Sequence, residues 1–306
     1  MIPDYQTLML PLLKLVSDGQ AHQYRNLIES LAVQFEVSDA ERKELLASGN
    51  QSIFDNRVGW AKTYLKKAGL IESPKRATFI ITELGRQALV KSPDRIDAKY
   101  LRQFPAFLDF LKSSRINNDN GVVEAALIDN YEQTPEELLD KAYQQIRKSL
   151  ASELLTKIID LSPTFFERLV VELLVKMGYG GSINDAGKAI GKSGDEGIDG
   201  TIKEDKLGLD IIYIQAKRWK PGNVVGRPEL QKFVGALAGQ GAKKGIFITT
   251  SNFTKDAREY IPRNETKIVL IDGEQLAQLM IDYNLGCTSQ QTYELKKIDG
   301  DYFGED

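Results

Sequence analysis

Ile198-Asp199-Gly200-Thr201-Ile202 and Asp210-Ile211-Ile212-Tyr213-Ile214-Gln215-Ala216-Lys217-Arg218 are the two stretches that decide how the second half of this chain is read. Both have strand composition, and residues 203–209 between them supply a turn, so a hairpin is expected. Alternation across a strand puts Tyr213, Gln215 and Lys217 on one face and Ile212, Ile214 and Ala216 on the other. The hairpin then sets Asp199 beside Gln215 and Lys217. Polar groups on an otherwise apolar strand are costly without partners. Metal-assisted phosphodiester cleavage needs this set: a carboxylate to hold a hard cation through oxygen, and a compact cation to orient water or stabilise charge on phosphorus. A strand with ordinary polar residues is the alternative reading.

Around this hairpin, helices and strands alternate. Ser162-Pro163 opens a helix with Phe165, Phe166, Leu169, Val170, Leu173 and Leu174 as a broad apolar stripe, ended by Gly178. A Gly- and Lys-rich stretch, 187–197, leads into the first strand. Arg227-Pro228 starts another helix, Ile246 to Ile248 form a buried strand, and Lys267 to Asp272 give a further strand before a helix from Gly273 to Tyr283. This order predicts an α/β/α sandwich with a mixed sheet. The hydroxyls of Thr249, Thr250 and Ser251 either bind a phosphate or cap the helix that begins near Thr254, and capping is the expectation.

The first ninety residues differ in character. Leu8, Leu12, Leu15 and Val16 recur at helical spacing, as do Leu27, Leu31 and Phe35, and Ser38 with Glu41 forms a capping-box pattern. A helix from about Arg57 to Ala68 stops at Gly69, and two short strands follow around the basic tip Ser73-Pro74-Lys75-Arg76. Helices followed by a small hairpin predict a winged helix-turn-helix. Between Asn56 and Lys91 there are eight Lys and Arg against Glu72 and Glu83, so Arg57, Lys62, Lys66, Lys67, Lys75 and Arg76 are expected to face DNA phosphates. A merely solvated helix face is the competing reading. Trp60 is expected to seat the helix in its core. From residue 93 the pattern loosens. Residues 117–140 carry seven acidic side chains and no basic one, which predicts an acidic linker with a flexible turn at Asn117 to Gly121. The expected organisation is a DNA-binding domain over 1–92, a helical and acidic linker over 93–150, a catalytic domain over 151–290 and a tail over 291–306.

The 306 residues, 42% hydrophobic and 27% charged, suit about two domains. A formal charge of −3 conceals the basic segment above and a second one at Lys217, Arg218, Lys220, Arg227 and Lys232, where Gln231 is a further backbone-contact candidate. Cys287 is the single cysteine and His22 the single histidine, which excludes a zinc cluster and leaves Ser-His or Cys-His triads only His22, expected at a helix end on the surface. No targeting segment or membrane-length apolar run is found, so the cytoplasm is the expected compartment.

The residues Phe166-Glu167, Gly178-Tyr179-Gly180, Gly194-Asp195-Glu196-Gly197-Ile198-Asp199-Gly200, Gln215-Ala216-Lys217-Arg218-Trp219, Gly226-Arg227-Pro228-Glu229-Leu230-Gln231 and Gly245-Ile246-Phe247-Ile248-Thr249-Thr250-Ser251 with Phe253 resemble, in order and spacing, the catalytic domain of the Mrr restriction endonucleases. Asn56-Arg57-Val58-Gly59-Trp60-Ala61 with Tyr64 to Leu70 is similar to the winged-helix domain of the same proteins. The resemblance covers nearly the whole chain. It implies a restriction-endonuclease-like fold and modification-dependent, type IV restriction of methylated double-stranded DNA. It further implies Asp199 as metal ligand, Gln215 at the second-carboxylate position, Lys217 as the catalytic lysine, and Glu167 completing the site, with Asp195 as an outer ligand. Mg²⁺ is the expected ion, with Mn²⁺ as a substitute. Gln in place of an acidic residue removes one charge from the metal shell and favours a single metal. Cutting both strands needs two sites, hence a homodimer or larger assembly. A non-cleaving DNA-binding regulator and a junction-resolvase-like nuclease are the alternatives.

Overall fold

The computed structural model describes residues 1–49, 51–91, 93–113, 133–180, 198–205, 207–220, 222–260 and 266–296, with 298 and 302. The chain divides into two compact units, 1–144 with 295–306, and 145–294. No helix among the described residues is long and apolar enough to cross a membrane.

In the first unit, α1 (Tyr5–Leu15) starts at Asp4, whose carboxylate accepts from the backbone N–H groups of Gln6 and Thr7. The strand β1 (His22–Gln23), α2 (Tyr24–Gln34), the short α3 (Asp39–Arg42) and α4 (Ile53–Lys67) follow. The expected capping box forms, with Ser38 and Glu41 exchanging bonds at the start of α3. Then come β2 (Ile71–Glu72), β3 (Thr78–Ile81) and α5 (Glu83–Val90). The three strands make one antiparallel sheet in the order β1-β3-β2. Gly69, at φ 76°, ends α4 as the sequence predicts. Gly85 is fixed by close approach, since a Cβ there would lie 2.2 Å from the Leu70 carbonyl oxygen. The lone histidine lies in β1 instead of at a helix end, half-exposed, 2.8 Å from the Asp18 carboxylate.

Residues just past 93, expected to belong to a linker, pack within the first unit. Ile96, Ala98, Leu101, Phe104 and Phe107 are all buried in the same core as α1 and α4. Ala98 and Leu101 come from α6 (Ala98–Leu101) and Phe107 from α7 (Pro105–Ser113), with Ile96 and Phe104 just before each helix. The turn cluster from Asn117 to Gly121 lies outside the described residues. The acidic stretch ends in α8 (Pro135–Asp160).

In the second unit, α9 (Pro163–Lys176) is capped by Ser162 with Pro163 in its first turn. The strands β4 (Gly200–Lys203), β5 (Ile211–Lys217), β6 (Lys244–Thr249) and β7 (Lys267–Ile271) pair in chain order. The hairpin pair β4-β5 is antiparallel and the pairs β5-β6 and β6-β7 are parallel, giving the mixed sheet. Between the parallel strands run α10 (Arg227–Gly239) and α11 (Lys255–Arg258), and α12 (Gly273–Asp282) follows β7. One face of the sheet, with Ile202, Ile212, Ile214, Ile246 and Ile248, packs on α9, the end of α8 and α12 through Phe166, Val170, Leu173, Leu154, Ile158 and Leu276. The other face buries Phe247 against Phe233 and Leu237 of α10, with Phe253 and Ala257. Helices on both faces make three layers, which is why β6 reads as an unbroken apolar run.

Candidate active site

The hairpin forms in the expected register. Gly200 is opposite Ile214, so Asp199, one residue earlier, falls beside Gln215, and its backbone N–H bonds the Ile214 carbonyl at 2.8 Å. The Asp199 carboxylate oxygen Oδ2 accepts from Gln215 Nε2 at 2.8 Å and from the Ala216 backbone N–H at 2.7 Å. Gln215 is buried, and this bond supplies the partner that a buried amide requires. Lys217, the last residue of β5, is half-buried. Glu167, in the first half of α9, is half-buried as well, and burial pushes its carboxyl above the usual carboxylate range. The negative charge of Asp199 pushes it further up, and the Lys217 ammonium draws it back down. Asp199 and Lys217 therefore both act on Glu167, although the three come from a strand entry, a strand end and a helix. Asp195 lies outside the described residues.

Among the described residues no group of three or more His, Cys, Asp and Glu side chains gathers around a common point. The donor set here is instead two carboxyls and an amide. Two carboxyls that repel one another are what a divalent, oxygen-liganded cation relieves, so these residues fit Mg²⁺ or a similar hard ion.

Two of the expected DNA contacts turn inward. Arg57 is half-buried and its Nη2 lies 2.8 Å from Glu137 Oε1, with Nε 3.1 Å from the same oxygen, while Nη1 donates to the carbonyls of Ile2 and Pro3. All three of its nitrogens are used. On the same side of α4, Trp60 Nε1 donates to Glu136 and Asn56 accepts from Thr134 Oγ1 at 2.5 Å. Asn56, Arg57 and Trp60 thus hold the first turn of α8, and part of the acidic segment is a structural partner of the basic helix. Trp60 also packs on the core, edge-on to Tyr64, as expected. In the second unit, Arg218 donates to the carbonyl of Ile159 near the end of α8, where unpaired carbonyls favour a cation.

The other cations are differently placed. Lys62 is half-buried over the rings of Tyr24 and Phe79, 4.7 and 5.4 Å from their centroids, and burial, then Lys66, lowers its pKa. Lys66, Lys67, Lys75 and Arg76 are exposed, Lys67 lying over the Phe110 ring. Arg227 and Gln231 are exposed on α10, with Arg227 5.2 Å from the Tyr260 ring centroid. The hydroxyls of Thr249, Thr250 and Ser251 do not cap α11; Thr254 does, accepting from the Ala257 N–H. Their own partners are backbone carbonyls, described below. No sequence signal pointed to Glu136, Glu137 or Thr134 as partners of α4, although Thr134 followed by Glu137 is itself a capping-box spacing.

A model of the Mrr N-terminal domain matches residues 5–91, and the Mrr catalytic model, a restriction endonuclease, matches residues 158–280. The type IV methyl-directed restriction enzyme EcoKMrr of Escherichia coli strain K12 is 38% identical over 307 residues, spanning 99% of each chain. The chain belongs to the Mrr family of restriction endonucleases. As an Mrr protein it is a hydrolytic endodeoxyribonuclease. Among solved structures, MspJI restriction endonuclease bound to a 27-mer oligonucleotide is 23% identical, covering 46% of this chain and 33% of its own, at a TM-score of 0.35. The DNA modification-dependent restriction endonuclease AspBHI is 15% identical over 68% of this chain and 52% of its own, at 0.36.

Proposed function

We propose that this Mrr protein is a type IV endonuclease that hydrolyses the backbone of methylated, invading DNA in the cytoplasm, with Mg²⁺ as its ion and Mn²⁺ as a substitute. The observation that carries the catalytic half of this reading is the register that sets Asp199 against Gln215 with Lys217 two residues on. Asp199 and Glu167 hold the ion. Gln215 fixes one Asp199 oxygen by donation, leaving the other for a ligand. Bound there, the ion supplies charge neutralisation at the scissile phosphate and an acidified water. Lys217 places its ammonium where it orients the attacking water and stabilises charge on the phosphorane. Selection for methylated DNA rests on the named activity of the E. coli relative.

We read the first unit as a winged helix, a reading supported by the order α1, β1, α2, the short α3 and α4, with the hairpin β2-β3 as the wing. In this reading Lys66 of α4 and Lys75 and Arg76 at the wing tip, all exposed, meet phosphates. Arg227 and Gln231 of α10 track the backbone beside the catalytic strand. Two copies supply the two sites that cutting both strands requires.

Incubating modified and unmodified plasmid with Mg²⁺ and the wild type, Asp199→Ala or Lys217→Ala tests the proposal. Cleavage of modified plasmid by the wild type and loss of at least about a hundredfold in rate for both variants are expected. Binding without cleavage in every modification state would sink it and leave a DNA-binding regulator.

A further inference from the structure

Three buried hydroxyls stand at the end of β6 and just beyond it. Thr249, Thr250 and Ser251 are all buried. Thr249 Oγ1 donates to the Lys217 carbonyl at 2.8 Å, Thr250 Oγ1 donates to the Trp219 carbonyl at 2.7 Å, and Ser251 Oγ donates to the Asn223 carbonyl. The Thr250 N–H adds a second bond to the Lys217 carbonyl at 3.2 Å. These bonds begin where strand pairing stops, because Lys217 opposite Thr249 is the last pair of β5 and β6. Farther on, the two chains are rejoined by a parallel bridge between Val225 and Phe253. There the Val225 N–H bonds the Asn252 carbonyl at 2.8 Å and the Thr254 N–H bonds the Val225 carbonyl at 2.9 Å.

Between these two points the path of the loop after Lys217 is set by side-chain hydroxyls. Ordinary ladder bonds use a backbone N–H for each carbonyl; here successive side chains of one segment reach carbonyls two and then four residues apart on the other, at Lys217, Trp219 and Asn223. These hydroxyls are not spent on a helix cap, since α11 takes its cap from Thr254, and Thr249 Oγ1 also accepts from the Ser251 N–H at 3.1 Å within the same segment. The clamped carbonyls belong to Lys217 and to the residues that follow it, so the Lys217 backbone, the anchor of its ammonium, cannot shift without breaking the Thr249 bond.

We propose that Thr249, Thr250 and Ser251 are positioning residues, a hydroxyl ladder that orders the loop after β5 before DNA arrives and sets the reach of Lys217. This rests on the reading of Lys217 as the catalytic lysine. A misplacement of about 1 Å in a reacting group costs on the order of a hundredfold in rate, so ladder loss should appear in turnover before it appears in affinity.

The test uses the full chain as wild type, Thr249→Val, which keeps the branched shape and removes the hydroxyl, and Thr249→Ser, which keeps the hydroxyl. Thr250→Val repeats the loss at Trp219. Single-turnover cleavage of modified plasmid, affinity for the same DNA without metal, and amide hydrogen exchange of 217–226 are measured together. Expected for both Val variants are exchange in this loop faster by at least about tenfold, a cleavage rate lower by at least about tenfold, and affinity within about twofold of wild type. Thr249→Ser should restore both rates. Wild-type cleavage by Thr249→Val, or equal damage in Thr249→Ser, would overturn the proposal. A wild type that binds but never cuts would defeat the reading of Lys217; unchanged exchange in the Val variants would defeat the ladder itself.

Discussion

Arg57 and Glu137 form a pair that is tightly packed within the first unit, with side chains 16% and 9% exposed. Removing one member of such a pair strands the other and typically costs about 3–5 kcal/mol. Here each partner keeps some compensation: Glu137 still accepts from the Thr134 N–H at 2.7 Å, and Arg57 still donates to Ile2 and Pro3. The lower end, about 3 kcal/mol for Arg57→Met, is therefore expected. In a unit of about 150 residues each kcal/mol moves the midpoint by roughly 2–4 °C, so the transition should fall by about 6–12 °C. A double-mutant cycle with Glu137→Gln, followed by calorimetry of the full chain, should return a coupling of about 2 kcal/mol. Because the pair is shielded from solvent, most of that coupling should survive at about 1 M salt. A coupling below about 0.5 kcal/mol, or one that vanishes in high salt, would mean an ordinary surface pair and would refute the inward role of Arg57.

Lys66→Ala should lower DNA affinity and reduce the slope of log affinity against log salt by about one phosphate contact, whereas Arg57→Met should leave that slope unchanged; fluorescence anisotropy over a salt series compares them. A fragment ending at residue 95 lacks Ile96, Leu101, Phe104 and Phe107, all buried. Losing four such side chains removes about 6–12 kcal/mol of burial, comparable with a whole domain's stability, so this fragment should lack the near-ultraviolet dichroism that residues 1–144 retain. Glu167 has a folded-state pKa above its ordinary value. Its contribution to stability is therefore full below the unfolded pKa and lost as pH rises through the folded one. Glu167→Gln should accordingly melt higher than wild type at neutral pH, with the gap closing on acidification. Melting scans from about pH 4 to pH 8 check the sign.

The hairpin was legible because period-two alternation fixes both the face and the register once a turn is placed. The cap at Ser38 and the stop at Gly69 were legible for a similar reason, since both are local. The inward turn of Arg57 was not, because its partner lies 80 positions away and a count of charges carries no direction. The Arg218 contact was not legible for the same reason: the Ile159 carbonyl that takes it lies 59 positions away, near the end of a helix. The helices α6 and α7 escaped because elements of four and nine residues, with Pro105 at the start of the second, give too short a window for a helical period.

The amide of Gln215 has a consequence for supply. A carboxylate in its place would set a second anion against the Asp199 oxygen that Gln215 now reaches at 2.8 Å, a repulsion that a bound cation would have to relieve. With a neutral donor there, two carboxyls face one ammonium, and the hairpin is closed by its own hydrogen bonds. Folding is thereby separated from ion availability: a chain stripped of divalent cations by a chelator is expected to keep its shape.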